Sequence, residues 1–181
     1  GQFKVPDKRY DKHNFLIHDY FFARTLDKVR PGGVIAFITS KGTLDKENPN
    51  VRKYIAQRAD LLGAIRLPND TFKAAAGTEV TSDIIFLQKR DRLVDIEPDW
   101  VHLATDANGI RMNAYFVDNP EMVLGDMQMV SGPHGMESAC IAYENAELGD
   151  LLRDAIQNIH AEITEFEIDD LEAEDEDLSI P

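Results

Sequence analysis

A continuous apolar run, Val34-Ile35-Ala36-Phe37-Ile38-Thr39, follows Pro31-Gly32-Gly33 and constrains the fold more than any other stretch. A run of strand length that is rich in β-branched residues and lacks polar alternation is typical of a strand buried on both faces, as in a parallel sheet. Before it, apolar residues recur at spacings of three and four over residues 13–29, which predicts an amphipathic helix that ends before Pro31. Helix, turn and strand together predict half of an α/β unit.

The same alternation of elements continues to about Arg92. Pro49 suits a first helical turn, and residues 51–59 predict a shorter helix. Residues 61–67 predict a second strand that ends at Pro68, and a small loop over residues 74–78 leads into a third strand over residues 80–89. The order of helix, strand, helix, strand, loop and strand predicts an α/β domain over residues 1–94.

The remainder of the chain has a different character. Residues 95–145 predict a connector, an α+β appendage with short strands near residues 100–103, 127–130 and 139–143. Residues 146–164 predict an amphipathic helix, whose apolar stripe includes Leu148, Leu151, Leu152 and Ala155. Residues 165–181 are dense in Asp and Glu and contain no Lys or Arg, so we expect an acidic, disordered tail.

Charge divides the chain in the same place. The net charge of −14 argues against nucleic-acid binding, because phosphates are contacted largely by Lys and Arg. However, residues 1–94 carry 17 basic and 11 acidic side chains, whereas residues 95–181 carry 2 basic and 22 acidic side chains. Only the second part is therefore unsuited to DNA.

Cysteine usage and hydropathy limit the class of protein further. The single Cys140 excludes a disulfide framework and a multi-cysteine zinc site, and it fits a reducing compartment. The five histidines are scattered, so we expect no metal site. No apolar run is long enough to cross a bilayer. We expect a soluble, cytoplasmic protein without a membrane partner.

Several common motifs of enzymes are missing from the sequence. It contains neither G-x-G-x-x-G nor G-x-x-x-x-G-K-[ST], and Ser40 lacks the G-x-S-x-G context of a hydrolase nucleophile. Three strands and two helices would also leave the sheet with an uncovered edge. We therefore expect the second half of a larger fold, with the open edge completed by self-association or covered by the C-terminal segment.

Three segments in order resemble amino-adenine (N6) DNA methyltransferases. They are Arg30 to Ile38, then Leu67-Pro68-x-x-x-Phe72, then Gly77-Thr78-x-Val80-Thr81-Ser82-Asp83 continuing to Lys89. The modification subunits of type I restriction systems and large methylase-helicase fusions are the most similar members. The resemblance covers about the first half of the chain and implies the C-terminal half of an S-adenosylmethionine-dependent, Rossmann-like methyltransferase sheet.

The resemblance also implies what the chain does not contain. In the family, a catalytic [N/D]-P-P-[Y/F] tetrapeptide and the cofactor's Gly-rich turn come earlier than the segments matched here. Both are expected upstream of Gly1, so no catalytic residue is assigned in this chain. The parent protein would use S-adenosylmethionine to methylate a flipped adenine in DNA, and this chain alone is expected to be inactive and to bind no cofactor.

The part of such an enzyme that this chain is expected to contain is the side that holds the target base. Family members place an aromatic or apolar residue in the loop before the last strand, where it stacks on the flipped base. Phe72 is the candidate here; alternatively, its ring fills the core behind the Pro68 turn. Lys73, Lys41 and Lys4 are candidates for contacts with DNA phosphates, although loop lysines can equally be plain solvated surface.

An alternative function belongs to a different class. The acidic second half could form a protein-interaction module that binds a basic partner or mimics nucleic acid. The helix over residues 146–164 would then be the docking face. The other interpretation of this helix is a terminal helix that packs on its own domain.

Overall fold

The computed structural model describes residues 17–161, and its centre is a three-stranded sheet. The strands are β1 (Val34–Ser40), β2 (Ala59–Leu67) and β3 (Ser82–Lys89). Their order is β1-β3-β2, and β3 is antiparallel to both neighbours, so β1 and β2 run in the same direction.

Helices precede and connect these strands in the predicted order. Helix α1 (Ile17–Lys28) leads into β1, and α3 (Asn50–Arg58) leads into β2. Two single-turn helices were not predicted from the sequence: α2 (Gly42–Asp45) after β1 and α4 (Lys73–Ala76) in the loop between β2 and β3.

The Pro-Gly-Gly turn sets the approach of α1 to the sheet. Gly32 has a φ of +79°, a conformation that glycine adopts without the steric cost of a Cβ. A Cβ on Gly33 would lie 2.6 Å from a methyl carbon of Val29, so this position also needs glycine. The chain can thus reverse tightly, and Phe22 of α1 packs against Phe37 of β1 with ring centroids 4.4 Å apart.

The prediction that β1 is buried on both faces is wrong. Ile35 is buried, but Val34 and Ile38 on the opposite face are 47% and 65% exposed. The reason is that the face of β1 that carries Val34 and Ile38 is left largely uncovered by the described residues, which the run of apolar residues alone does not reveal. Within the described residues β1 also pairs only with β3, so it is an edge strand.

The connector packs along the outer side of β2. It contains a 3₁₀ turn (Asp99–Val101), a small antiparallel pair of β4 (Leu103–Thr105) and β5 (Arg111–Asn113), helix α5 (Ala114–Asp118) and a second 3₁₀ turn (Pro120–Met122). The strand predicted over residues 100–103 is wrong, because the His102 amide donates to the Asp99 carbonyl and closes a turn. The Leu124 amide donates to the Arg66 carbonyl (2.9 Å) and covers the outer edge of β2.

A hairpin and a helix complete the described residues. Strands β6 (Asp126–Gly132) and β7 (Gly135–Ile141) form an antiparallel pair, which confirms the two short strands predicted there. Helix α6 (Leu148–Ile156) is shorter than predicted, and its apolar stripe packs against the core. This packing supports the interpretation of a terminal helix that packs on its own domain. Leu148, Leu151 and Leu152 are only partly buried, and the docking-face interpretation stays a prediction.

Parts of the sequence predictions lie outside the described residues. These are Lys4, the start of the first helix and the acidic tail over residues 165–181. The domain boundaries after residues 94 and 145 stay predictions. Between residues 17 and 161, no helix combines the length and the apolar character needed to span a bilayer.

Candidate functional site

The candidate residues lie at one end of the central sheet, where β1 and β2 end and β3 begins. In the register of the sheet, Ser40 and Leu67 both lie opposite Ser82. The Lys41 amide donates to the Thr81 carbonyl (2.9 Å), which ties the segment after β1 to the loop before β3. The structure thus places Lys41 and the loop that carries Phe72 at the same end of the sheet.

Local hydrogen bonds fix the loop around Phe72. The Thr71 hydroxyl donates to the Pro68 carbonyl (2.7 Å), and the Val80 amide donates to the Asn69 carbonyl (3.0 Å). Phe72 lies directly before α4, which ends at Gly77 with a φ of +73°. The Phe72 side chain is 37% exposed, so it does not fill the core. Its ring is accessible at the edge of the loop.

The two described lysine candidates have different surroundings. The Lys73 Nζ lies 3.0 Å from the Glu79 Oε1, and both side chains are exposed. The hydrogen bond that Lys73 donates to Glu79 raises the pKa of Lys73, so the ammonium is charged at neutral pH while Glu79 offsets part of that charge. Lys41 is half-buried at the start of α2.

A buried charge cluster beneath this end of the sheet was missed by the sequence analysis. Arg66 is fully buried, and its guanidinium donates to both oxygens of Asp83 (2.8 and 2.9 Å) and to both oxygens of Asp45 (2.8 and 2.9 Å). Its Cζ also lies 4.4 Å from the centroid of the Phe116 ring. Arg66 of β2 therefore contacts three other parts of the chain: β3, α2 and the connector.

The electrostatics of this cluster favour a charged arginine. Burial alone would disfavour the charged guanidinium, but the adjacent Asp83 and Asp45 outweigh burial and raise the pKa of Arg66. Burial raises the pKa of Asp83 and the negative charge of Asp45 adds to this effect, against the opposing pull of Arg66. Two carboxylates share one buried cation, so removing the cation would be costly.

Asn113 extends the cluster into the connector. The Asn113 amide donates to Asp45 Oδ1 (3.0 Å), and its side-chain nitrogen donates to the carbonyls of Leu44 and Trp100 (2.8 Å each). Its side-chain oxygen caps α5 by accepting from the Tyr115 amide (2.9 Å). The one signal in the sequence was a charged residue, Arg66, inside the otherwise apolar run over residues 61–67, because a buried charged residue needs a partner.

The described residues do not fit an S-adenosylmethionine pocket. Such a pocket needs a Gly-rich turn from a strand into a helix, where backbone amides approach the ligand. Gly42 after β1 is the nearest equivalent, but it is the one glycine between Ser40 and Arg58, so the segment after β1 is not a Gly-rich turn. Within residues 17–161, no three His, Cys, Asp or Glu side chains are arranged to hold a metal ion.

Cys140 is a structural residue in this arrangement. It is fully buried, as expected for a small apolar side chain, and its amide donates to the Thr81 hydroxyl (3.0 Å). Burial raises the pKa of its thiol to about 12, so the thiolate that acts as a nucleophile is not populated at neutral pH.

Comparison with known proteins gives one match in sequence. No protein-family model matches the chain. Over 100 residues it is 33% identical to "Defense against restriction protein B" of Escherichia phage P1. The match covers 55% of this chain, but the chain spans only 4% of the length of the phage protein.

A comparison with solved structures gives a weaker likeness. A Listeria monocytogenes protein, whose crystal structure is described as that of a class I S-adenosylmethionine-dependent methyltransferase, is 24% identical with a TM-score of 0.41. The alignment covers 54% of this chain and 31% of that protein.

Proposed function

We propose that this chain is part of a DNA adenine-N6 methyltransferase and forms the side of the enzyme that holds the target base. The parent protein would transfer a methyl group from S-adenosylmethionine to the exocyclic amine of an adenine flipped out of the duplex. The observation that carries the proposal is the exposed Phe72 ring in a hydrogen-bonded loop, at the same end of the sheet as Lys41.

The order of elements supports this proposal. In the family that the sequence resembles, a helix, a strand, another helix and a two-strand hairpin follow the catalytic tetrapeptide. The chain has α1, β1, α3 and then the antiparallel pair of β2 and β3 in the same order. The segments that carry the sequence resemblance are the turn before β1, the loop of Phe72 and β3.

The chain's own residues have a defined part in the proposed reaction. Phe72 stacks on the flipped adenine, which keeps the base flat while its amine faces the methyl donor. Lys73 and Lys41 contact phosphates beside the flipped nucleotide and fix its position without reading its sequence. S-adenosylmethionine supplies the methyl group, and we propose that its binding residues lie elsewhere in the parent protein; the lack of a Gly-rich turn in the described residues supports this.

Binding to single-stranded adenine oligonucleotides tests the role of Phe72. Stacking of a base on an aromatic ring contributes about 1–3 kcal/mol, so Phe72→Ala lowers the affinity about tenfold, measured by fluorescence anisotropy at low salt. Phe72→Trp retains the affinity because indole also stacks. Phe21→Ala is the matched control, because Phe21 is a 59% exposed ring on α1 outside this loop. Equal losses for Phe21→Ala and Phe72→Ala contradict the proposal.

Calorimetry tests the assignment of the cofactor pocket. S-adenosylmethionine titrated into the full 181-residue chain gives no binding heat, and a radiolabelled methyl group is not transferred to DNA by this chain alone. A measurable dissociation constant for S-adenosylmethionine would contradict the placement of its binding residues elsewhere in the parent.

The phage relative supports a biological setting for the proposal. Its name assigns it to defence against restriction. We propose that the parent of this chain acts in the same kind of setting, as a protein of the cytoplasm that modifies DNA.

We also propose that isolated copies of the chain associate through β1. Its sequence from Val34 to Ser40 contains no charge and no proline, the features that normally protect an edge strand. In an antiparallel pair centred on Ala36, Val34 of one copy would lie opposite Ile38 of the other. The exposed apolar faces of both copies would then be continuous across the interface.

A further inference from the structure

A cavity of about 330 Å³ lies in the connector, away from the loop of Phe72. Its volume is within the range of about 300–1,000 Å³ that is typical of ligand sites. Met112 and Phe116 belong to its lining but are only 2% and 1% exposed, so the accessible apolar surface comes from Val117, Pro120 and Met127. The cavity therefore offers an apolar surface that is already fixed by the core.

Two carboxylates line the same cavity. Asp106 uses its Oδ1 to accept from the amides of Asn108 (2.9 Å) and Ile110 (2.8 Å), which fixes the side chain. Asp126 is the first residue of β6 and is exposed. Within residues 17–161, neither carboxylate pairs with a cationic side chain, and no basic residue lines the cavity.

The surrounding segment has little positive charge to offset these carboxylates. Residues 95–161 contain twelve Asp and Glu but only two Arg and no Lys. Both arginines are already paired, Arg111 with Glu47 (2.6 Å) and Arg153 with Asp150 (3.2 Å). Tyr143 also lines the cavity, and its pKa is raised by partial burial and further by the charge of Asp126. The cavity thus combines apolar walls with a negative potential.

We propose that this cavity binds a basic side chain, an alkylguanidinium or alkylammonium group presented by a partner polypeptide. The aliphatic stem packs against Val117, Pro120 and Met127, and the cationic head pairs with Asp106 and Asp126. An aromatic ring such as that of Tyr143 at the cavity also favours a cation. The site is independent of the proposed methyltransferase activity, because it includes none of the residues assigned to the target base.

Three probes distinguish charge, apolar contact and the source of the ligand. They are acetyl-Leu-Arg-Leu-amide, the same peptide with citrulline in place of arginine, and n-butylguanidinium as a free small molecule. Titrations followed by amide NMR shifts report both affinity and location. The arginine peptide binds with shifts at the residues around the cavity, and the citrulline peptide, which keeps shape but lacks charge, binds at least about tenfold more weakly. Tighter binding of butylguanidinium than of the peptide would overturn the assignment to a polypeptide partner.

Charge-neutralising variants give the matched control. The combined variant Asp106→Asn and Asp126→Asn keeps the oxygen acceptor of Asp106 and weakens the arginine peptide about tenfold. The combined variant Asp118→Asn and Asp154→Asn removes the same two units of charge from exposed positions on α5 and α6 that do not line the cavity, and it leaves the affinity within twofold. Equal weakening by this control variant, or equal affinity of the citrulline peptide, would overturn the proposal. Thermal melts that match the unaltered chain exclude misfolding as the cause.

Discussion

Arg66 and Asp83 form a two-point ion pair in the interior, with nitrogen–oxygen distances of 2.8 and 2.9 Å and no solvent exposure on either side chain. The two residues lie opposite each other on neighbouring antiparallel strands, so the sheet itself brings them together. Burial removes both charges from water, and the pair therefore depends on both partners being present.

Removing Arg66 is expected to destabilise the fold strongly. Arg66→Met leaves Asp83 and Asp45 buried without a cation, and we expect a loss of about 3–5 kcal/mol in the free energy of unfolding, measured by urea titration. Adding Asp83→Asn to this variant restores part of the loss, because one buried charge is then absent. Lys73→Met, which breaks the exposed pair with Glu79, is the control and leaves the urea midpoint unchanged. A loss no larger than that of Lys73→Met would contradict the importance of the cluster.

The buried thiol of Cys140 predicts a specific dependence of stability on pH. The pKa of its thiol is about 12 in the folded chain against an ordinary value of 9.0, so the unfolded chain loses this proton first as the pH rises. The contribution of the neutral thiol is fully present below pH 9, and stability falls by up to about 1.4 kcal/mol for each pH unit between these two values. Urea titrations from pH 8 to 11 measure this slope.

Cys140→Ala provides the comparison for that slope. The variant lacks the titrating thiol, so its stability falls less steeply with pH over the same range, although the lost sulfur lowers its stability at every pH. Equal slopes for the variant and the unaltered chain would contradict a strongly raised thiol pKa. Near neutral pH, a thiol reagent such as a coloured disulfide reacts with Cys140 of the folded chain only as fast as transient unfolding exposes the thiol.

The edge strand β1 predicts a change in oligomeric state. Ile38→Lys places a charge on the exposed face of the strand, and we expect it to shift self-associated chains to monomers in analytical ultracentrifugation. Leu93→Lys is the matched control, because Leu93 is 66% exposed and lies outside the sheet. If the unaltered chain sediments as a monomer at every concentration, or if both variants dissociate it equally, association through β1 is wrong.

The fold near β1 was predictable because its signals are local. The turn at Gly32 and Gly33, the apolar run after it and the helix before it are close in sequence, and each leaves its own pattern. The exposure of Val34 and Ile38 could not be predicted in the same way, because it depends on which distant parts of the chain pack on that face of β1. A single apolar run looks the same whether its neighbours are present or not.

The buried charge cluster could not be predicted from the sequence for a similar reason, because its residues are distant from one another in the chain. Asp45, Arg66 and Asp83 are separated by 21 and 17 positions, and only the register of the sheet and the turn after β1 bring them together. By contrast, Phe72 was found because it belongs to an ordered set of motifs. Motif order locates loops, whereas pairing between distant residues needs the three-dimensional fold.

The hydrogen bonds of the Asp45 carboxylate affect how the chain unfolds. Its Oδ1 accepts hydrogen bonds from Arg66 in the sheet and from the Asn113 amide in the connector, 68 positions away in sequence. Separation of either region would leave a buried charge without its partner. We therefore expect the sheet and residues 99–124 to unfold in one cooperative step. A protease acting on the native chain would then find no stable intermediate in which only the connector has been lost.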